Sequence, residues 1–186
     1  MVTWDDAKKS WEQGKEEAKR DLFHARHSFD PQPATFAFCR NDAVYYARKY
    51  YLNRNPQYPY YDGHDCTNFV SQCWTYAGIP AKEDWFCDGY AVTHSWTWVS
   101  EFANYMVNQG YARISYSSLD ANLGDVVQLY HPDLGGWHHS AIITKIDEDG
   151  SLYYTAHSNS YIDKKLSLIY PDSGDELRFL CPYNAY

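Results

Sequence analysis

Asp65-Cys66-Thr67-Asn68-Phe69-Val70-Ser71-Gln72 places a cysteine at the start of a helix, directly after a loop. The helix is expected from about Cys66 to Ala77, with Phe69, Val70 and Cys73 facing a core at helical spacing, and it stops at Gly78-Ile79-Pro80. A thiolate is the nucleophilic form of cysteine, and a helix N-terminus favours it through the dipole and its unpaired N–H groups. Those N–H groups also suit an oxyanion on a substrate carbonyl. Read alone, the same stretch fits a buried structural cysteine with Asp65 as a plain N-cap.

Outward from this helix, the N-terminal side reads as helical. A long polar helix is expected over residues 3–28, with Trp4, Ala7, Trp11, Ala18 and Leu22 on one narrow stripe. Ser28-Phe29-Asp30-Pro31-Gln32-Pro33 ends it, which divides the chain into a helical appendage, 1–35, and a main domain, 36–186. A second helix is expected at about 41–52 with Asn41 as N-cap, followed by a Pro- and Tyr-rich loop, 53–63. A further helix near 96–109 has Ser95 as its cap.

Beyond Gly124 the period changes to that of strands: Asp125–Tyr130, His139–Ile146, Leu152–Ala156, Lys165–Ile169 and Leu177–Leu180, with Asp147-Glu148-Asp149-Gly150 the sharpest hairpin turn. Helices first and an antiparallel sheet second make the fold class α+β.

A cysteine nucleophile needs a base and a group to orient it. His138 and His139 open a strand just after Gly135-Gly136-Trp137, and strict strand alternation would let only one of them face Cys66. The next strand ends in His157-Ser158-Asn159, so His157 or Asn159 could hold an imidazole by a hydrogen bond.

Four segments, in order, resemble the putative amidase domain family, a branch of the papain-like NlpC/P60 and CHAP superfamily. These are Asn41–Ala47, Asp65–Gln72, Gly124–Gln128 and His139–Thr144; Ser95-Trp96-Thr97 is also similar. The resemblance covers about residues 36–182. It implies a papain-like NlpC/P60-type fold, with N-terminal helices packed on an antiparallel β-sheet. It maps the nucleophile onto Cys66, the base onto His139 with the small Ala141 two residues on, and the orienting residue onto His157, with Asn159 as runner-up. The sequence departs from papain-type proteases in having no clear Gln before Cys66 as an oxyanion donor; Tyr61 is the candidate for that place.

The expectation is therefore a cysteine amidase or peptidase that works through a thioester acyl-enzyme. The superfamily points to peptidoglycan peptides or similar cell-wall amides. The alternative is a catalytically silent module that binds wall peptides or glycans on the same fold. Tyr60, Tyr61, Asp65, Trp85 and Trp96 flank the start of the Cys66 helix and are expected at the substrate. The 19 Tyr, 8 Phe and 7 Trp suit both a core and such a groove.

A net charge of −8 argues against nucleic acid as a partner. No stretch approaches the ~20 apolar residues of a membrane span. The five cysteines contain no C-x-x-C pair, and His131, His138 and His139 lack ligand spacing, so neither a metal nor a cofactor is expected. A monomer is expected. The opening Met1–Asp6 lacks the regions of a signal peptide, so the compartment reads as secreted or cell-wall if a leader has been removed, and as cytoplasmic otherwise.

Overall fold

The computed structural model describes residues 34–82, 84–168 and 176–186. The helix expected over 3–28 and the boundary at 28–33 lie outside the described residues.

The helices are α1 (Arg40–Tyr50), α2 (Cys66–Tyr76), α3 (His94–Thr97) and α4 (Val99–Asn108). The strands are β1 (Ala112–Ser115), β2 (Val126–His131), β3 (Gly136–Ile146), β4 (Leu152–Ala156), β5 (Tyr161–Lys165) and β6 (Glu176–Pro182). The strands form one sheet in the order β1-β6-β2-β3-β4-β5, and every neighbouring pair is antiparallel. The architecture is α+β, helices before sheet.

Strand alternation sorts the sheet into two faces. Val126, Ile142 and Leu180 are register partners and join Phe69, Val70, Trp74 and Phe102 in the core beneath the helices. Val127, Ala141 and Phe179, one residue along each strand, join Ile143, Leu152, Tyr154 and Leu166 in a second cluster.

Helix α2 is buried along its whole run from Cys66 to Trp74, so its polar side chains must find partners inside the protein. Ser71 Oγ donates to the Trp96 carbonyl at 2.8 Å, Gln72 Oε1 accepts from the Tyr46 hydroxyl at 3.0 Å, and Trp74 Nε1 donates to the Gly124 carbonyl at 2.9 Å. The helix ends at Gly78, whose φ of +118° excludes most side chains and where a Cβ would strike the Ala37 carbonyl oxygen.

Several expected boundaries shift for local reasons. Helix α1 begins at Arg40, with Cys39 at the cap position and Asn41 already inside. Its first turn is docked by Arg40 Nη1, which donates to the Leu123 carbonyl and to Asp125 Oδ1. The helix expected near 96–109 is broken at Trp98, which is extended at φ −101° and ψ 135°. The His94 ring stacks on Trp98 across the break, and Ser95 bonds the Asp84 carbonyl and Thr93 instead of capping. Strand β5 precedes the expected Lys165–Ile169, where a 3-10 turn over Leu166–Leu168 follows. Strand β3 starts at Gly136, which extends the hairpin towards β2. The Asp147–Gly150 turn joins β3 to β4 as expected, with Gly150 at φ +80°. No helix of the described residues is long and apolar enough to cross a membrane.

Candidate active site

Cys66 is the first residue of α2, and its side chain is only 7% exposed. It packs with Val99 and Trp137, with Tyr130 against them. Burial pushes its thiol pKa up, outweighing the Ser140 amide and the Thr67 hydroxyl and amide that pull it down. Desolvation thus works against the expected helix-start thiolate and outweighs the N-terminal donors. Thr67 Oγ1 lies 3.8 Å from its sulfur.

The Ser140 amide that meets this sulfur is bonded to the His139 carbonyl carbon, so the backbone of His139 lies one peptide unit from the group that contacts Cys66. The strand is irregular here. Leu129 pairs with His139 and Tyr130 with Trp137, so His138 is the extra residue of a bulge. Trp137 and Ser140 both point towards α2, three residues apart, the latter with its hydroxyl 3.2 Å from Thr67 Oγ1. Simple alternation therefore does not select between His138 and His139, contrary to the sequence argument. Their ring centroids are 6.4 Å apart, and His131 lies 6.1 Å from His138. Burial, followed by His138 and Lys164, pulls the His139 pKa down to about 4, leaving a neutral imidazole near neutral pH. Among the described residues, no hydrogen bond joins Cys66 to the His139 ring.

His157, expected to orient the base, has both ring nitrogens engaged elsewhere. Nδ1 is 2.5 Å from Asp65 Oδ2 and Nε2 is 2.9 Å from the Tyr50 carbonyl oxygen. Asn159 is exposed on the turn after β4, at φ +92°. Asp65, expected at the substrate, is buried; its Oδ1 accepts from the Tyr61 amide at 3.0 Å and from Asn68 Nδ2 at 2.8 Å.

Tyr60 and Tyr61 are partly exposed in the loop ahead of Asp65. The Tyr60 hydroxyl donates to Asp62 Oδ1 at 3.0 Å, and the Arg54 guanidinium covers its ring. Burial, with smaller contributions from Cys87 and Asp65, pushes the Tyr61 hydroxyl up to about 12. The Trp85 and Trp96 side chains, expected on a groove wall, are core residues at 0% and 1% exposure. Their indole N–H groups are spent on α2: Trp96 donates to Asn68 Oδ1 at 2.8 Å and Trp85 to Ser71 Oγ at 3.3 Å.

A buried polar row runs to Cys66 from the floor of the sheet. Arg178 Nε donates to Gln128 Oε1 at 2.7 Å. Gln128 Nε2 donates to the Val99 carbonyl at 2.8 Å and to Ser140 Oγ at 3.1 Å, and Ser140 meets Thr67 beside Cys66. The Arg178 guanidinium also lies 4.1 Å over the Trp137 ring. Sequence reading missed this row, although its signal is present: Gln128 and Arg178 hold inward strand positions between apolar neighbours. No group of three or more His, Cys, Asp or Glu among the described residues is placed to hold a metal ion.

Comparison with known proteins gives a match between residues 38–180 and the family model described as a putative amidase domain. Uncharacterized protein YjcM of Bacillus subtilis (strain 168) is 33% identical over 131 residues, which is 65% of this chain and 31% of the relative. Uncharacterized protein YhbB of the same organism is 29% identical over 122 residues, 61% of this chain and 39% of the relative. The aligned part thus spans about a third of the length of these curated relatives. No solved structure matches the chain.

Proposed function

Because the chain belongs to the putative amidase domain family, we propose that it is a cysteine hydrolase of amide bonds. The observation that carries this reading is the juxtaposition of Cys66, at the start of α2, with the strand that bears His139.

In this mechanism the Cys66 sulfur attacks the amide carbonyl. His139, neutral at rest, accepts the thiol proton as the carbon–sulfur bond forms. The amides ahead of Phe69, whose own N–H donates to the Asp65 carbonyl, have no intrahelical acceptor and face the developing oxyanion. Collapse breaks the carbon–nitrogen bond, and the proton passes from His139 to the departing amine. The resulting thioester is hydrolysed by water, with His139 again as base. A thiol at rest makes proton transfer concerted with attack the natural route, in place of a preformed ion pair. The substrate class is a peptidoglycan stem peptide or a similar cell-wall amide, with Tyr60 and Tyr61 as the aromatic contacts.

The test is intact-mass analysis after incubation with purified peptidoglycan and a peptide library. An acyl adduct on Cys66, absent from Cys66→Ala, is expected. Turnover that survives in Cys66→Ala would remove the mechanism. The burial of Cys66 and its raised thiol pKa favour one second reading, a silent binding module for wall peptides or glycans. Selective alkylation of Cys66 by iodoacetamide near neutral pH separates the two: a silent module leaves the thiol unreactive.

A further inference from the structure

His157 closes the far side of the nucleophile helix, and its hydrogen-bond partners determine its protonation. A carbonyl oxygen only accepts, so Nε2 must donate to Tyr50. On the other side, Asp65 Oδ1 already accepts from the Tyr61 amide and from Asn68 Nδ2, which leaves Oδ2 facing Nδ1. Two such donors favour an ionised carboxylate, so the one proton between Oδ2 and Nδ1 belongs to the ring.

We infer that His157 is a positioning residue that acts through Asp65: as a buried imidazolium it is the counter-ion that fixes the junction from which Cys66 is presented. Three stretches of chain converge there. The end of α1 supplies the Tyr50 carbonyl to His157. The loop before α2 supplies the Tyr61 amide to Asp65, and the Pro59 carbonyl accepts from Asn68. The end of β4 supplies His157, and the adjacent Ser158 Oγ accepts from the Asp65 amide at 2.7 Å. The His157 ring stacks on Phe69 of α2 with centroids 4.0 Å apart, so its plane is held as well as its two nitrogens. Asp65 precedes Cys66 directly, and its charge opposes formation of a thiolate. The imidazolium offsets that charge. His157 is thereby given a role other than holding the tautomer of His139.

The inference rests on Cys66 being the reactive group, and the test separates the two claims. In 15N NMR of the whole protein at neutral pH, with the His157 signals assigned by their loss in His157→Gln, both ring nitrogens should carry protons. A bare Nδ1 would overturn the inference. Alkylation of Cys66 by iodoacetamide should slow about tenfold in folded His157→Gln, which leaves the Asp65 charge without its counter-ion, and removing that charge as well in folded Asp65→Asn/His157→Gln should restore part of the rate. A folded His157→Gln that reacts at the wild-type rate would overturn it. If a variant unfolds, the NMR signature of the wild-type protein decides. If wild-type Cys66 resists the reagent, the hydrolase reading falls, and the imidazolium signature still decides this one.

Discussion

At the scale of single residues, Trp85→Ala is informative because Trp85 lies wholly inside the core, between Trp96 and Tyr105 and above Ser71. It should cost about 3–5 kcal/mol of stability in a denaturant melt. Binding affinity per folded molecule should stay unchanged. His139 gives a second residue-scale prediction. As the proposed base, with its pKa held down to about 4, it stays competent well below neutrality, so the acid limb of kcat/KM should fall near pH 4 and vanish in His139→Ala. His139→Ala should lower kcat by about 10²–10⁴-fold, while His138→Ala keeps most activity; a dead His138→Ala beside an active His139→Ala would exchange their roles. The same imidazole affects stability. The unfolded chain takes up the proton near 6.5 and the folded one only near 4, so stability should decline as pH falls through that window and level off below it. Urea midpoints of wild type and His139→Gln across that range measure the difference.

At this scale the sequence was partly legible. The place of Cys66 at a helix start was legible, and so were the core positions of Phe69, Val70 and Cys73 from their period. The roles of Asp65, Trp85 and Trp96 were not, because a polar group or indole beside a nucleophile reads alike whether it faces substrate or satisfies a buried helix. In this fold the second requirement dominates: α2 carries Asn68, Ser71 and Gln72 into the core, and the neighbouring indoles and phenol bond to them.

Among the elements, α2 and the β3–β4 hairpin followed from period and turn chemistry, since both have several residues that agree. Strand β1 was not legible: Ala112-Arg113-Ile114-Ser115 is four residues at a sheet edge, with too little alternation to stand out. The bulge at His138 was equally hidden, because it depends on the register with β2 and not on any residue within β3. The polar row beneath Cys66 belongs to this scale, since it ties β6, β2, β3 and α2 together. Gln128→Leu would strip partners from Arg178 Nε, Ser140 Oγ and the Val99 carbonyl at once. Ser140 Oγ keeps Thr67 Oγ1, so the main loss is at Arg178 Nε, and the substitution should cost about 1–3 kcal/mol despite its apolar replacement. Calorimetric unfolding with an unchanged midpoint would show that the row carries little stability.

For the whole molecule, the family match begins at residue 38, after the appendage expected from the sequence. Trimming residues 1–30 should therefore leave Cys66 alkylation at its wild-type rate, whatever it does to the melting temperature. A folded truncation with an unreactive thiol would make the appendage part of the site.

The sheet order has a consequence for synthesis. Of the six described strands β6 is made last, yet it lies between β1 and β2, and Asn184 and Tyr186 beyond it pair with Phe38 and Arg40. On a ribosome, helix α2 would emerge about a hundred residues before the strand that completes its floor. Until Arg178 arrives, Gln128 has no guanidinium to grip, and the edges of β1 and β2 remain unpaired. Such long-range closure slows folding. It also means that a domain of this design cannot complete the surroundings of Cys66 before β6 has been synthesised.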